Sequence, residues 1–244
     1  MRRPFAPLAL SAMLLAAGFA AARAQPAPAP KPAAASKFLS PGDIDAATLL
    51  PPPPKDDAPA TVEGRGELHR IAAARTAERL EQAKHDDEVE DIRSIADVFG
   101  PAFSLERFPA TARLFADLRN EDSLAAKQAK AYFKRERPFL NDPELDVCDD
   151  RHDVKNSYPS GHATMGYAAA AVLANLMPGN AQVILARASD YAESRLYCGV
   201  HYRADIDAGQ VLGNVLVQKL MAKPAFQAEL EAARAELTAA HIAP

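Results

Sequence analysis

The sequence predicts an all-α protein, built as a single compact multi-helix domain. Of its 244 residues, 48% are hydrophobic and 25% are charged, which is the balance of a globular domain with a sizeable core. Twelve of the 20 prolines precede residue 60, and the remainder is rich in alanine, which favours helix over sheet. No later stretch alternates polar and apolar residues as a strand would.

The first 24 residues have the pattern of a signal peptide. Two arginines are followed by an apolar stretch from Leu8 to Ala20 and by Ala22-Arg23-Ala24, a small-x-small cleavage pattern. A transmembrane anchor is the alternative, but this stretch is shorter than the roughly 20 residues that a bilayer crossing needs. We expect cleavage after residue 24 and a periplasmic or secreted mature protein.

The charge balance excludes a global basic field. The whole chain carries a formal charge of −4, and removal of residues 1–24 leaves 25 basic against 32 acidic residues. We therefore expect no nucleic acid polymer as a partner, and any affinity for anions must be local. No later apolar run is long enough to cross a bilayer, so we also expect no membrane association after cleavage.

Residues 25–60 form a Pro-rich N-terminal segment that begins as an extended linker. Within it, Asp43 and Asp45 resemble the Asp-x-Asp-x-Thr loop of haloacid-dehalogenase-like phosphatases. The context differs, because Pro41-Gly42 is a turn signal where that loop needs a strand, and Ala47 stands at the threonine position. These acids are predicted instead to cap a short helical turn.

Residues 61–244 are predicted to be the helical domain. An amphipathic stretch with apolar positions from Leu68 onward continues to Val98 and stops at Gly100-Pro101. Further helices are expected over residues 106–119, 122–136, 161–176, 179–195, 204–222 and 224–239.

The two cysteines, Cys148 and Cys198, are the only ones in the chain. In an oxidising compartment an even pair favours a disulfide over a metal site or a redox couple. The alternative is two unpaired thiols that pack as small apolar residues.

The segment from Ser157 to His162 leads directly into an apolar helix. Ser160 is placed as the N-cap of that helix, so that the N–H groups that follow it, including that of Gly161, form an anion-binding end. Taken alone, the segment favours the alternative, an ordinary capped helix with a surface histidine.

Two cations, Lys130 and Arg137, are seven residues apart. On a helix this spacing is two turns along one face, so both heads would converge on one anion, although Pro138 disfavours helix at Arg137. Lys134 and Arg135 share the segment, and a basic solvated helix face is the alternative.

A third cluster contains Arg195, His201 and Asp205. Gly199 is expected to break the preceding helix, and a carboxylate four residues after a histidine accepts a bond from one ring nitrogen and leaves a lone pair on the other. A purely structural His–Asp pair is the alternative. Cys198-x-x-His201 lacks the second pair that a zinc site requires, so we expect no metal.

In chain order, the three clusters resemble the complete three-part signature of the type 2 phosphatidic acid phosphatase superfamily, which includes the vanadium haloperoxidases. The eleven matching positions are Lys130-x6-Arg137-Pro138, Pro159-Ser160-Gly161-His162 and Ser194-Arg195-x5-His201-x3-Asp205.

The closer similarity is to the class A bacterial nonspecific acid phosphatases. It extends from about residue 38 to the helix ending at Leu237, and includes the proline run of Leu49–Pro54 and the Asp-x-Asp-Ala-Gly pattern that begins at Asp205. Ala163 departs from the pattern, because relatives commonly have threonine directly after the motif histidine.

The resemblance implies an all-helical fold of the acid phosphatase / vanadium haloperoxidase type and phosphomonoester hydrolysis through a phosphohistidine without metal or other cofactor. It implies that His201 is the nucleophile, that Asp205 orients it, and that His162 is the acid that protonates the leaving group. The peripheral phosphate oxygens would be held by Lys130, Arg137, Ser160, Gly161 and Arg195. Acid operation follows, since His162 must be protonated while His201 is not.

Two alternatives stay open at this point: a vanadate-dependent haloperoxidase, and an exported phosphate-binding module without turnover. A membrane-lipid phosphatase is disfavoured by the absence of spanning segments in the sequence. The expected partners are small-molecule phosphomonoesters. The amphipathic C-terminal helix is compatible with an interface in a homo-oligomer and equally with a helix that faces the core.

Overall fold

The structure is a computed structural model that describes residues 35–148 and 156–242. The predicted signal peptide and the start of the linker lie outside the described residues. All regular secondary structure in the described part is helical, as predicted. The α-helices are α1 (Ala46–Leu49), α2 (Pro59–Ala74), α3 (Ala77–Glu88), α4 (Arg93–Ala96), α5 (Pro109–Phe133), α6 (Pro138–Asn141), α7 (Gly161–Leu176), α8 (Ala181–Tyr197), α9 (Arg203–Met221) and α10 (Pro224–Ala239).

Helix α7 lies at the centre of the core. It packs most extensively against α9 and α8 and also contacts α5 and α10. Its side chains are mostly small and apolar, and eleven of its 16 residues are buried. Close approach of α9 depends on Gly209, because a Cβ at that position would lie 2.8 Å from the Ser160 carbonyl oxygen and 2.8 Å from the Ala163 Cβ.

The stretch expected to be one amphipathic helix from Leu68 to Val98 is interrupted twice. Arg75 is extended, and the Thr76 side chain accepts a hydrogen bond from the Arg79 N–H, which starts α3 as a new helix. A second break follows Glu88, where the backbone becomes extended at Val89. The single-helix prediction was wrong because local capping outweighed the apolar periodicity.

The reverse error occurs in α5, which is one continuous helix where two were expected over residues 106–119 and 122–136. Glu121 and Asp122, which lie where the first helix was expected to give way to the second, are both buried within the continuous helix. The helix ends at Lys134, which has a left-handed backbone (φ 51°). Arg137 therefore lies beyond the helix, and the prediction that it shares a helix face with Lys130 was wrong.

Part of the Pro-rich segment is built into the helical core. The Phe38 ring packs edge-on against the Phe226 ring of α10, with centroids 5.4 Å apart. The Glu121 carboxylate accepts hydrogen bonds from the backbone N–H groups of Lys37 (2.6 Å) and Phe38 (2.9 Å). Asp45 accepts a bond from the Ala47 N–H at the start of α1, which is the capping role expected for this acidic pair.

A disulfide joins Cys148 to Cys198, as the even cysteine count predicted, across a sequence separation of 50 residues. The Cys148 N–H also donates to the Cys198 carbonyl oxygen (3.1 Å). Gly199 follows with φ 69°, a left-handed conformation that a side chain disfavours. The bridge therefore fixes the turn that delivers His201.

Candidate active site

The start of α7 forms one wall of the site. The buried Ser160 side chain accepts a hydrogen bond from the Ala163 N–H, as an N-cap does, and the Ser160 N–H donates to the Asp205 carbonyl oxygen (2.9 Å). A Cβ at Gly161 would lie 3.1 Å from Glu90 Oε1 and 3.5 Å from Lys130 Nζ. A side chain at residue 161 would therefore crowd the charged groups that face the helix start.

His201 and Asp205 form a buried pair between α8 and α9. His201 Nδ1 lies 3.3 Å from Asp205 Oδ2, and Arg137 Nη1 lies 2.9 Å from His201 Nε2. An arginine nitrogen only donates, so Nε2 must be the acceptor and the ring proton must be on Nδ1, facing the carboxylate. The pair therefore presents an Nε2 lone pair in the direction of a cation.

The electrostatic surroundings favour the neutral form of the His201 imidazole. Burial lowers its pKa well below the ordinary value, and the positive charge of Arg137 lowers it further. Arg195, Lys130 and His162 act in the same direction.

Arg137 lies in the extended segment after α5. It donates to the Val200 carbonyl oxygen (2.8 Å) and to Asn156 Oδ1 (3.0 Å) in addition to His201. The same segment carries Arg135, whose Nη1 donates to Asp205 Oδ1 (2.7 Å). Two guanidinium groups thus bracket the His–Asp pair, one on each member.

His162, the second residue of α7, is held by the C-terminal end of α3 and by the segment that follows it. Its Nε2 lies 3.1 Å from the Asp87 carbonyl oxygen, which only accepts, so Nε2 carries a proton. Its Nδ1 lies 3.8 Å from Glu90 Oε1. Nδ1 is therefore the nitrogen that is left to exchange a proton, on the side of Glu90.

Burial lowers the pKa of His162 well below its ordinary value, and the Arg195 guanidinium lowers it further. The Asp87 carboxylate and carbonyl oppose this shift. Arg195 is fully buried and donates to Asp87 Oδ1.

Lys130 projects from the last turn of α5 toward Gly161 at the start of α7. Burial and the nearby Arg137 charge lower its pKa to about 8. The Glu90 carboxylate, which accepts a hydrogen bond from Arg119 Nη2 (2.9 Å), acts in the opposite direction. Lys130 is therefore a cation in acid and loses its charge as the pH rises through about 8.

The structure brings the residues singled out in the three motifs to one place, although they come from four separate stretches of chain. These residues are Lys130, Arg137, Ser160, Gly161, His162, Arg195, His201 and Asp205. Ala163 does not face this cluster: it is fully buried, with its Cβ directed at the Gly209 position of α9.

Sequence reasoning missed four residues that complete the cluster: Asp87, Glu90, Arg135 and Ser157. The first two carry no local motif. Asp87 contacts His162 and Arg195, 75 and 108 residues away, whereas Glu90 accepts a bond from Arg119 and lies 3.8 Å from His162 Nδ1. A signal for Arg135 did exist. Arg137 precedes Pro138, and a residue before a proline is usually extended. Positions two apart in an extended segment, such as 135 and 137, lie on the same face. Ser157 is the first residue of the segment that leads into α7, and no role was assigned to it from the sequence. In the structure its Oγ donates to Asp205 Oδ2 (2.6 Å).

In the described parts of the chain, no group of three or more His, Cys, Asp or Glu side chains is arranged to hold a metal ion. Nor does any helix within residues 35–148 and 156–242 have the length and hydropathy to cross a bilayer.

Comparison with known proteins matches residues 122–225 to the PAP2 superfamily, a region that contains all eight motif residues. A non-specific acid phosphatase of Salmonella typhimurium is 34% identical over 209 residues, which is 82% of this chain and 83% of that protein. A non-specific acid phosphatase of Providencia stuartii is 30% identical over 79% of this chain and 81% of its own length. An acid phosphatase of Zymomonas mobilis is 27% identical over 96% of this chain and 91% of its own.

These similarities confirm the resemblance carried by the three motifs, and they extend well beyond the motifs themselves. The chain therefore belongs to the bacterial non-specific acid phosphatases of the PAP2 superfamily, and it is a phosphatase.

Proposed function

We propose that the protein is an exported acid phosphatase that hydrolyses small phosphomonoesters through a covalent phosphohistidine, without a metal ion. The observation that carries this proposal is the buried imidazole of His201. Its proton is held on Nδ1 by Asp205, so the Nε2 lone pair faces Arg137, and the positive charges of Arg195 and Lys130 also act on the ring. A neutral nucleophile beside convergent positive charge suits attack on an anionic phosphoryl group.

In the first step, His201 Nε2 attacks phosphorus and forms an N–P bond while the bond from phosphorus to the ester oxygen breaks. The imidazole becomes cationic, and the Asp205 carboxylate next to Nδ1 stabilises it. The leaving oxygen takes a proton from His162 Nδ1. The low pKa of His162 in the free site is offset when the substrate brings negative charge beside the ring.

The peripheral oxygens of the phosphoryl group are held by side-chain cations and by the start of α7. Lys130, Arg137 and Arg195 supply positive charge, and Ser160 and the Gly161 N–H supply neutral donors. Loss of one such donor typically costs about 3 kcal/mol of barrier, or roughly two orders of magnitude in rate.

In the second step, His162 accepts a proton from water as the water oxygen attacks phosphorus. The N–P bond breaks, inorganic phosphate leaves, and His201 returns to its neutral form with the proton on Nδ1. One histidine thus acts first as an acid and then as a base. The rate should therefore show a bell-shaped dependence on pH.

Two features support export. Residues 1–24 have the composition of a signal peptide. The Cys148–Cys198 disulfide belongs to an oxidising compartment such as the periplasm or the extracellular space.

The direct test is hydrolysis of p-nitrophenyl phosphate by the mature chain between pH 4 and 9 in the presence of EDTA. We expect activity that peaks in acid, is insensitive to EDTA, and is absent from His201→Ala. The folded state of the variant is checked by circular dichroism. Full activity in His201→Ala, or loss of activity on chelation that zinc or magnesium restores, would contradict the proposal.

A further inference from the structure

Arg135 is buried at the back of the candidate site, in a place that the proposed reaction does not use. It lies in the extended segment that follows Lys134, and its backbone carbonyl accepts a hydrogen bond from the Ser157 N–H (3.0 Å). Its guanidinium stacks on the Tyr202 ring, with the guanidinium carbon 4.1 Å from the ring centroid. The stacked guanidinium is thereby directed at Asp205.

The Asp205 carboxylate is surrounded by donors. Oδ1 accepts from Arg135 Nη1 (2.7 Å). Oδ2 accepts from Ser157 Oγ (2.6 Å) and from the Tyr202 N–H (2.9 Å), and it lies 3.3 Å from His201 Nδ1. Among these four contacts, the bond from Arg135 is the one made by a full positive charge. Both Arg135 and Asp205 are buried.

We propose that Arg135 is a positioning residue whose guanidinium fixes the Asp205 carboxylate and offsets its negative charge, so that His201 keeps its Nε2 lone pair in acid. The inference rests on the proposed function, in which His201 is the nucleophile. It adds a residue at an unspecified position of the Lys130-x6-Arg137 motif that sets the pH at which the nucleophile is available.

The need for such a residue follows from the chemistry. A carboxylate beside an imidazole favours the imidazolium and raises the pKa of the histidine. A histidine with an uncompensated aspartate would be protonated in acid and would lack the lone pair that attack requires. In this site Asp205 both orients His201 and, paired with Arg135, brings no net charge to it.

Several other charged groups face this pair, and they stay constant in the test. Arg137, Arg195, Lys130 and His162 all disfavour the imidazolium of His201. Tyr158 and Asp207 also lie within the field of Asp205. The specific contribution of Arg135 is therefore measured by changing its charge alone.

The test compares Arg135→Gln and Arg135→Lys with Lys134→Gln, a matched loss of one charge at the exposed neighbouring residue. The titration of His201 is followed by NMR through its Cε1–H resonance, which is assigned by its absence from His201→Asn. In Arg135→Gln we expect the His201 titration midpoint to rise by about one pH unit, a tenfold change in proton affinity. Arg135→Lys should keep the midpoint within a few tenths of a unit, and Lys134→Gln should leave it unchanged.

The acid limb of the pH profile of kcat/KM provides a second measurement of the His201 titration. It should move upward in Arg135→Gln by the same amount as the NMR midpoint and stay in place in Lys134→Gln. A folded Arg135→Gln protein with reduced activity and an unmoved midpoint would overturn the proposal, because a merely structural residue behaves in that way. If Arg135→Gln does not fold, an Arg135→Lys midpoint that rises by a full unit would overturn it.

The NMR titration requires no turnover, so it separates the two proposals. Failure of the proposed function appears as a wild-type protein that forms no phosphoenzyme, whatever the midpoints are. Failure of the Arg135 inference appears as an unmoved midpoint in a protein that does form one.

Discussion

Replacement of Gly209 by alanine should both destabilise the protein and impair its active site. The added Cβ would lie 2.8 Å from the Ser160 carbonyl oxygen and 3.1 Å from the Thr164 N. The first distance is short of ordinary van der Waals contact, which begins at 3.4 Å, by about 0.6 Å. Both neighbours are backbone atoms of α7, so relief requires α9 to move away from α7.

Overpacking of this kind costs about 1–3 kcal/mol, and the helical preference of alanine over glycine returns about 0.5–1 kcal/mol. The net loss is up to about 2.5 kcal/mol, with a central value of about 1 kcal/mol, and each kcal/mol lowers the Tm of a domain of this size by roughly 2–4 °C. The site is affected as well, because the Ser160 N–H donates to the Asp205 carbonyl (2.9 Å) one turn before Gly209. A displacement of this kind should lower kcat by about tenfold or more.

The assay combines thermal unfolding followed by circular dichroism with p-nitrophenyl phosphate kinetics well below the Tm. Gly66→Ala is the matched control, because it also lies inside a helix and its Cβ would meet only the flexible Arg70 side chain, at 3.4 Å. The control should gain stability and keep its kcat. If Gly209→Ala matched this control in both Tm and kcat, the tight α7–α9 contact would not be what positions Asp205.

Three further predictions concern charge, the disulfide and the leaving group. The affinity for inorganic phosphate, measured as a competitive inhibition constant, should weaken as the pH rises through about 8, because Lys130 is charged below its pKa and neutral above it; equal pH dependence in Lys130→Met would contradict this. Removal of the bridge by Cys148→Ala with Cys198→Ala should lower the free energy of unfolding in urea by about 4 kcal/mol, given its loop of 50 residues, and an unchanged midpoint would refute the estimate. His162→Ala should lose more activity on alkyl phosphates than on p-nitrophenyl phosphate, whose leaving group needs no proton; equal losses would remove His162 as the acid.

Local signals were the ones that predicted structure well. The helix over residues 161–176 was predicted at both ends, because Ser160 caps it through its own side chain. The helix over residues 224–239 was also predicted with both ends correct, with proline at its first position. The all-α class followed from composition, and the disulfide from a count of two cysteines.

Long-range contacts decided what local reasoning missed. The break expected between residues 119 and 122 does not occur: Glu121 and Asp122 are buried inside a continuous α5, where tertiary packing outweighs the low helix propensity of aspartate. Asp87 acquires its role only when folding places it on Arg195, 108 residues away. Nothing within a few residues of Asp87 signals that pairing.

Lys130 and Arg137 were expected to lie close together, and they do, but for a different structural reason. A shared helix face was expected to bring them together, but the helix ends between them. The left-handed residue Lys134 instead redirects the chain, and the extended segment that follows turns Arg137 onto His201 and Arg135 onto Asp205.

The central claim is that His201 becomes covalently phosphorylated during turnover. It is tested most directly by mixing the mature enzyme with p-nitrophenyl phosphate, stopping the reaction within milliseconds in alkali, where phosphohistidine survives, and sequencing the peptides by mass spectrometry. We expect one added phosphoryl group on the peptide that contains His201, located on that residue and absent from His201→Ala. Steady turnover with no phosphorylated peptide, or with the phosphoryl group on another residue, would contradict it.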